Sequence, residues 1–238
     1  MTISHKVQRG KWEREHAKPF ALKQMNAKKV SGSIPPFFEF LRAKQHPVSL
    51  GLEMGCGKGR NVIWCAQQVG VEKITGFDFS ETAIGVAKKR AEEAGVTDKT
   101  DFVVMDATRK WIFDDASFDF GIDCTASTDI ESPTLRSFAI SEMWRVLKPG
   151  GFLLVYVMST DDEYHRLMIE RSPAEEKNAF YHPDTGKFEK VFEDGELAEM
   201  YARFDRIETR RIEKKSEFFG KKYNSKMFWI VFRKPQRH

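Results

Sequence analysis

The 238-residue chain has little cysteine, no long apolar run and no repeated or low-complexity segment. Its three cysteines, Cys56, Cys65 and Cys124, form no CxxC pair. That count argues against a disulfide scaffold and for a reducing compartment. No stretch approaches the roughly 20 apolar residues of a membrane-spanning helix. The opening "MTISHKVQRGKWEREH" lacks the apolar centre of a secretory leader. A cytoplasmic protein without a membrane partner is expected. The histidines show no HxxxH spacing, so no metal is expected. A lone histidine such as His16, His165 or His182 is expected at the surface.

What is present is the composition of a globular protein, 41% hydrophobic and 31% charged. The length suits one sizeable α/β domain or two small ones. The net charge of +4 is unevenly spread: residues 1–46 carry +7, residues 203–238 carry +8, and the middle carries −11. Basic ends are either a surface for acidic partners such as RNA or simply solvated faces, and the second is the plainer reading.

Residues 11–30 read as a polar helix, and a short helix is expected from about Pro36. Short apolar runs predict buried strands at 48–54, 73–78, 100–106, 117–123 and 152–158. Between them lie helical patterns: "RNVIWCAQQVG" stopping at Gly70, "SETAIGVAKKRAEEAG" capped by Ser80, and "SPTLRSFAISEMWRVLKPGG" closed by Pro149 and its glycines. Such alternation implies a parallel sheet with right-handed crossovers. The end differs. "FDRIETRRIEKKSEFF" and "SKMFWIVFRK", joined by "GKKYN", alternate apolar and polar residues and predict an antiparallel hairpin. "EDGELAEM" starts a further helix with Asp194 as cap. No Gly/Ser linker divides the chain, so one domain with an N-terminal helical extension is expected.

The turn "LEMGCGKGR" (52–60) places Gly55, Gly57 and Gly59 behind Glu53, at the carboxyl end of the first strand. Open parallel sheets bind ligands there. The spacing matches neither the dinucleotide fingerprint nor the Walker loop, and Glu53 would repel a phosphate. Asp78 ends the second strand, where a carboxylate suits ribose hydroxyls. Phe79 beside it can lie against a planar base, and Asp106 at the third strand can accept from an exocyclic amine. Glu53 would then face a cation. A ligand with a ribose, an aminated base, an ammonium and no phosphate fits; S-adenosylmethionine (SAM) has those parts.

Taken in order, "LEMGCGKGR", "GFDFS", "VVMDA", "FDFGID" and "MWRVLKPGGFLLVYV" resemble the class I SAM-dependent methyltransferases over residues 48–158. The resemblance implies an α/β, Rossmann-like seven-stranded sheet, mostly parallel with the last strand antiparallel, and helices on both faces. It divides the chain into an extension or lid (1–46), a SAM-binding core (47–160), and a substrate-cover segment with the hairpin (161–238). It implies that the backbone from Gly55 through Cys56 and Gly57 to Gly59 passes the methionyl part. Glu53 would serve the amino group, Asp78 the ribose, and Asp106 with the Ala107 amide the adenine. Asp123 and Cys124 close the cofactor side, with Cys124 and Thr125 facing the donor methyl and the substrate. "IPPF" (34–37) resembles the NPPY-type motif of adenine-amino methyltransferases. Ile34 stands where a polar residue is needed, so a helix start is the better reading. The cysteines invite an arsenic chemistry, but core packing explains them better.

In this fold the extension and the segment 180–204 commonly roof the substrate. Trp12, Phe20, Phe37, Phe38, Phe180, Tyr181 and Phe188 are candidates for the lining. Methyl transfer from a sulfonium rests mainly on positioning and water exclusion; where a base is needed, His16, Tyr181 and His182 are the candidates. Three functions stay open: a methyltransferase acting on a small-molecule N, O or S acceptor; an RNA or protein methyltransferase using the basic ends; and a SAM-binding protein without turnover. The extension carries Trp12, Phe20, Leu22 and Met25 without a complete helical stripe, so a weakly docked lid is expected.

Overall fold

The computed structural model describes residues 3–18 and 27–236. After α1 (Ile3–Ala17) and α2 (Ile34–Ala43) the chain alternates: β1 (Leu50–Met54), α3 (Arg60–Ala66), β2 (Lys73–Asp78), α4 (Glu81–Glu93), β3 (Thr100–Val104), β4 (Phe118–Cys124), α5 (Pro133–Val146), β5 (Leu147–Met158). Then come α6 (Glu163–Arg171), β6 (Ala179–Tyr181), β7 (Phe188–Lys190), α7 (Asp194–Met200), β8 (Asp205–Phe218) and β9 (Lys221–Arg233). The main sheet has the order β3-β2-β1-β4-β5-β9-β8. β1 to β5 pair in parallel, and β9 runs antiparallel between β5 and β8. The seven-stranded sheet with an antiparallel last strand is as expected.

Alternation along the strands supplies two cores. Leu154 and Tyr156 of β5 join Phe37, Phe38, Val62, Ile84 and Phe120 on one face. Leu153, Val155 and Val157 join Ala139, Met143, Leu197 and Phe228 on the other. Helices thus cover both faces, as strands buried on two sides require. The order of the strands reverses between β1 and β4, which leaves a crevice at their carboxyl ends.

Several boundaries differ from expectation. α1 occupies residues 3–17 rather than 11–30; residues 27–30 are not helical, and 19–26 lie outside the described residues. α2 starts at Ile34, with prolines in its first turn, where a missing N–H costs nothing. α3 stops at Ala66, before Gly70. α5 ends at Val146, and residues 147–151 already belong to β5; the residue before Pro149 is barred from continuing a helix. The hairpin loop is only Phe219 and Gly220, both with positive φ (52° and 77°), the two-residue turn whose twist matches its strands. α7 is capped at Glu193, with no side-chain bond. The two-stranded sheet β6-β7 had no sequence signal beyond "DTG".

At Gly51 a Cβ would lie 2.2 Å from Cζ of Phe120, so β1 and β4 carry that ring only because the position is bare. Gly51→Ala overpacks this contact and is expected to cost about 1–3 kcal/mol. A lowered denaturation midpoint at unchanged m-value would report it, and an unchanged midpoint would contradict the packing.

Candidate functional site

The crevice is built from strand ends that carry carboxylates. The turn after β1 runs through Gly55 and Gly57 with φ of 63° and 51°, a conformation open chiefly to glycine. At Gly55 a Cβ would also lie 2.5 Å from Cβ of Ala126. Asp78 ties this turn to β2: its Oδ2 accepts from the Gly57 amide at 3.0 Å and its Oδ1 from the Ser80 amide at 2.9 Å. Ser80 in turn caps α4 through the Ala83 amide. Burial lifts the Asp78 carboxyl to about 6, against the pull of those amides. Asp106 closes an Asx turn on Thr108, accepting from its amide at 2.9 Å and its hydroxyl at 2.7 Å.

Glu53, in β1, is almost fully buried. Its Oε1 accepts from Asn61 Nδ2 at 2.7 Å, while Oε2 has no hydrogen-bond partner among the described residues. Burial pushes its carboxyl up to about 8, although Asn61, Arg60 and the Val62 amide pull it down. Trp12 and His16, which line the same crevice, each carry a buried polar atom, Nε1 and Nδ1, without a partner among the described residues. Three orphaned polar atoms around one cavity mark a place built for a polar ligand.

This first cavity is lined by Glu53, Gly55, Cys56, Gly57, Asp78, Phe79, Asp106, Ala107, Cys124 and Thr125, together with Trp12 and His16. Two expected members are elsewhere. Gly59 packs against Phe102 and Ala87. Asp123 is buried behind the wall, where it accepts from the Ser127 amide at 3.1 Å and the Tyr201 hydroxyl at 3.1 Å. It is almost wholly buried and lines neither cavity, so its bonds hold the loop after β4.

A second cavity, of about 410 Å³, adjoins the first. Its walls include Trp12, Tyr156, Tyr164, His165, His182, Glu189 and Phe218, contributed by α1, β5, α6, β7 and β8 with their loops. His165 sits between two carboxylates, with Nδ1 2.6 Å from Asp162 and Nε2 3.5 Å from Glu189. Burial alone would lower it, but these bonds hold it up at about 9. It is therefore an imidazolium at neutral pH, a group the sequence reading had set aside.

The histidines are not at the surface; His16, His165 and His182 are all buried. His16 lines the first cavity only, and burial with the nearby Lys58 drives it down to about 4. His182 lines the second only, its Nε2 3.2 Å from the Tyr164 hydroxyl. Tyr181 lines neither; its hydroxyl donates to Glu131. Phe37 and Phe38 stack edge-on with Phe120 in the core, Phe180 packs with Tyr164 and Met168, and Phe188 is fully buried. None of these four lines either cavity. Aromatic content alone could not separate lining from core. Phe20 lies outside the described residues.

Residues 52–151 match the family described as "Methyltransferase domain". The sterol 24-C-methyltransferase ERG6B of Gibberella zeae is 36% identical over 122 residues, 50% of this chain and 30% of that protein. A demethylmenaquinone methyltransferase of Bacteroides fragilis is 28% identical over 48% of this chain and 44% of its own. The chain thus spans less than half the length of these curated relatives. Among solved structures, a SAM-dependent methyltransferase from Methanosarcina mazei superposes with a TM-score of 0.72 at 27% identity, covering 83% of this chain and 98% of that one. Residues 52–151 thus match a methyltransferase domain, on the fold of the SAM-dependent methyltransferase from Methanosarcina mazei, and no helix among the described residues is long and apolar enough to cross a membrane.

The Glu53 shift makes a prediction for the protein alone. A carboxyl raised from 4.5 to about 8 keeps, in the folded state, a proton that the unfolded chain loses above pH 4.5. Stability is therefore lost as pH rises across that window, by about 1.4 kcal/mol per pH unit at most. Glu53→Gln removes the dependence while keeping an acceptor for Asn61. Its melting temperature is expected to exceed that of the wild type at pH 8 and to converge with it near pH 5. Parallel curves would show that Glu53 titrates normally.

Proposed function

We propose that this chain transfers a methyl group from SAM to a nitrogen, oxygen or sulfur nucleophile of a small-molecule acceptor. The observation that carries this reading is the pair of adjoining cavities, one ringed by strand-end carboxylates and the other walled by aromatic and titratable side chains. A volume of about 410 Å³ is in the range of small-molecule sites.

The residues present suit the donor. The orphaned Glu53 Oε2 offers an acceptor for the ammonium, which would also draw the carboxyl into its charged form. The bare backbone at Gly55 and Gly57 lets the methionyl chain approach. Asp78 keeps lone pairs for the ribose hydroxyls beyond the two amides it already binds. Phe79, half-buried on the cavity wall, supplies a face for the adenine, and Asp106 with the Ala107 amide reads its edge. When bound, SAM supplies an electrophilic methyl on a sulfonium. The protein's part is alignment and the exclusion of water.

α1 is read as a lid over this site. It lies across the first cavity, with Trp12 and His16 in the lining. Gln8 accepts from the Phe188 amide at 3.0 Å, Lys11 donates to the Gly186 carbonyl, and Glu13 accepts from the Thr82 amide at 3.1 Å. The basic termini favour RNA less than their charge suggests, because several cations of the hairpin are matched. Arg206 pairs with Asp194, Arg210 with Glu208, and Arg233 with Asp205 at 3.0 Å.

Two measurements test the reading. Asp78→Asn is expected to weaken S-adenosylhomocysteine binding about tenfold to a hundredfold by calorimetry, in a protein that still melts cooperatively. Unchanged affinity would leave Asp78 as a turn-closing residue only. Incubation with methyl-labelled SAM and a fractionated cell lysate is expected to label small molecules. Label confined to RNA or to protein would replace the small-acceptor reading with the one based on the basic termini.

A further inference from the structure

A methyl group passing from one cavity to the other must cross the wall they share. Six residues line both: Trp12, Ala27, Arg60, Cys124, Thr125 and Asp129. Few of them can take a proton. Arg60 is a permanent cation. The Cys124 thiol is pushed up by burial, with Glu53 adding to the shift, and so keeps its own proton. Trp12 offers only a donor. The hydroxyl of Thr125 is too weak a base. His16 and His182 each reach one cavity alone.

We propose that Asp129 is the catalytic base of the transfer, placed at the shared wall to take the proton of a protic acceptor, an N–H, O–H or S–H compound. This rests on the small-acceptor reading above. In the balanced step, the acceptor heteroatom forms its bond to the methyl carbon. The carbon–sulfur electron pair stays on sulfur, which becomes a neutral thioether. The heteroatom's proton passes to the Asp129 carboxylate and leaves to solvent after product release.

The loop carrying Asp129 is held from three sides. The Asp123 carboxylate accepts from the Ser127 amide. Buried Arg136 donates to the Ser127 carbonyl at 3.1 Å and the Ile130 carbonyl at 2.7 Å, while pairing with Glu176 at 2.7 Å. Thr125 sits at φ 70°, a strained conformation for a β-branched residue, with its amide bonded to the Tyr156 carbonyl at 2.9 Å. A surface turn has no need of that bracing. The charges around Asp129 are mixed: Glu189 on β7 and Lys187 just before it, Asp123 on β4, and Arg60 on α3 across the wall. Burial first, and then Glu189, raise its carboxyl well above the ordinary range, with Lys187 opposing. A base so raised has the proton affinity that a neutral acceptor requires.

Asp129→Asn tests the assignment. With methyl-labelled SAM and the low-molecular-mass fraction of a lysate, the variant is expected to lose product formation by about a hundredfold or more. Its affinity for S-adenosylhomocysteine should stay within about twofold. The wild-type rate should fall as pH drops through the Asp129 titration, and the variant should lack that limb. Independently of turnover, ¹³C NMR of carboxyl-labelled aspartate should show a resonance titrating well above the usual range, missing in the variant. A variant that retains the wild-type rate and pH profile, or an Asp129 resonance titrating normally, would overturn the assignment while leaving the transferase reading intact. Wild-type protein that binds S-adenosylhomocysteine and labels nothing in that fraction would overturn both.

Discussion

A carboxylate taken out of water needs donors, and the carboxyl ends of this sheet gather four of them. Asp78 meets the requirement with the Gly57 and Ser80 amides, and Asp106 with Thr108. Asp123 meets it with Ser127 and Tyr201. Each bond does structural work as it satisfies the charge: Asp78 sets the glycine turn, and Asp123 sets the loop after β4. Glu53 is the exception. One of its oxygens bonds Asn61 and the other has no partner among the described residues. An unmet buried acceptor costs free energy in the free protein, and a cationic ligand recovers it. The site is thus the place where the sheet's own bonding is left incomplete.

α1 is held by a different kind of contact. α1 has no apolar stripe, yet Trp12, Gln8, Glu15 and His16 are buried. The helix docks by hydrogen bonds to the β6-β7 turn and by a buried cation. Lys187 Nζ lies 4.0 Å from the Trp12 ring centroid and 3.8 Å from Glu15. Such pairs add little net stability because desolvation offsets their attraction. They do fix one geometry, and they do so without a hydrophobic seam. The lid proposed for α1 would need such a geometry.

How much of this was legible in the sequence follows from the range of the interactions. The strands, the Ser80 cap and the glycine turn depend on neighbours a few residues apart, so periodicity and spacing expose them. So do the strand-end residues Glu53, Asp78 and Asp106. The docking of α1 depends on pairs such as Gln8 with Phe188, 180 residues apart, which no local pattern carries. Phe37 and Phe180 went to the core rather than the cavity because an aromatic side chain suits both equally. The charge of His165 was invisible because it is made by Asp162 and Glu189, one the cap of its helix and the other on β7. Asp123, in line with the other strand-end acids, was misassigned because sequence cannot show that Tyr201 already occupies it.

The same division by range separates the two halves of the site. The residues matching the methyltransferase domain, 52–151, include every strand-end carboxylate of the first cavity. Most walls of the second lie outside that stretch, on residues 12–32 and 156–227. The first half is constrained by the sheet itself, since changing Asp78 or Gly55 disturbs the turn that the fold requires. The second is assembled from a helix, a short β-pair and an extended hairpin that meet through side chains. Those surfaces can be altered without disturbing strand register. Asp129 lies where the two halves meet: its loop belongs to the first half through Asp123 and Arg136, while its carboxylate feels Glu189 from the second. On the proposed function, donor chemistry would be set by backbone geometry, and the identity of the acceptor by side chains that only tertiary structure brings together.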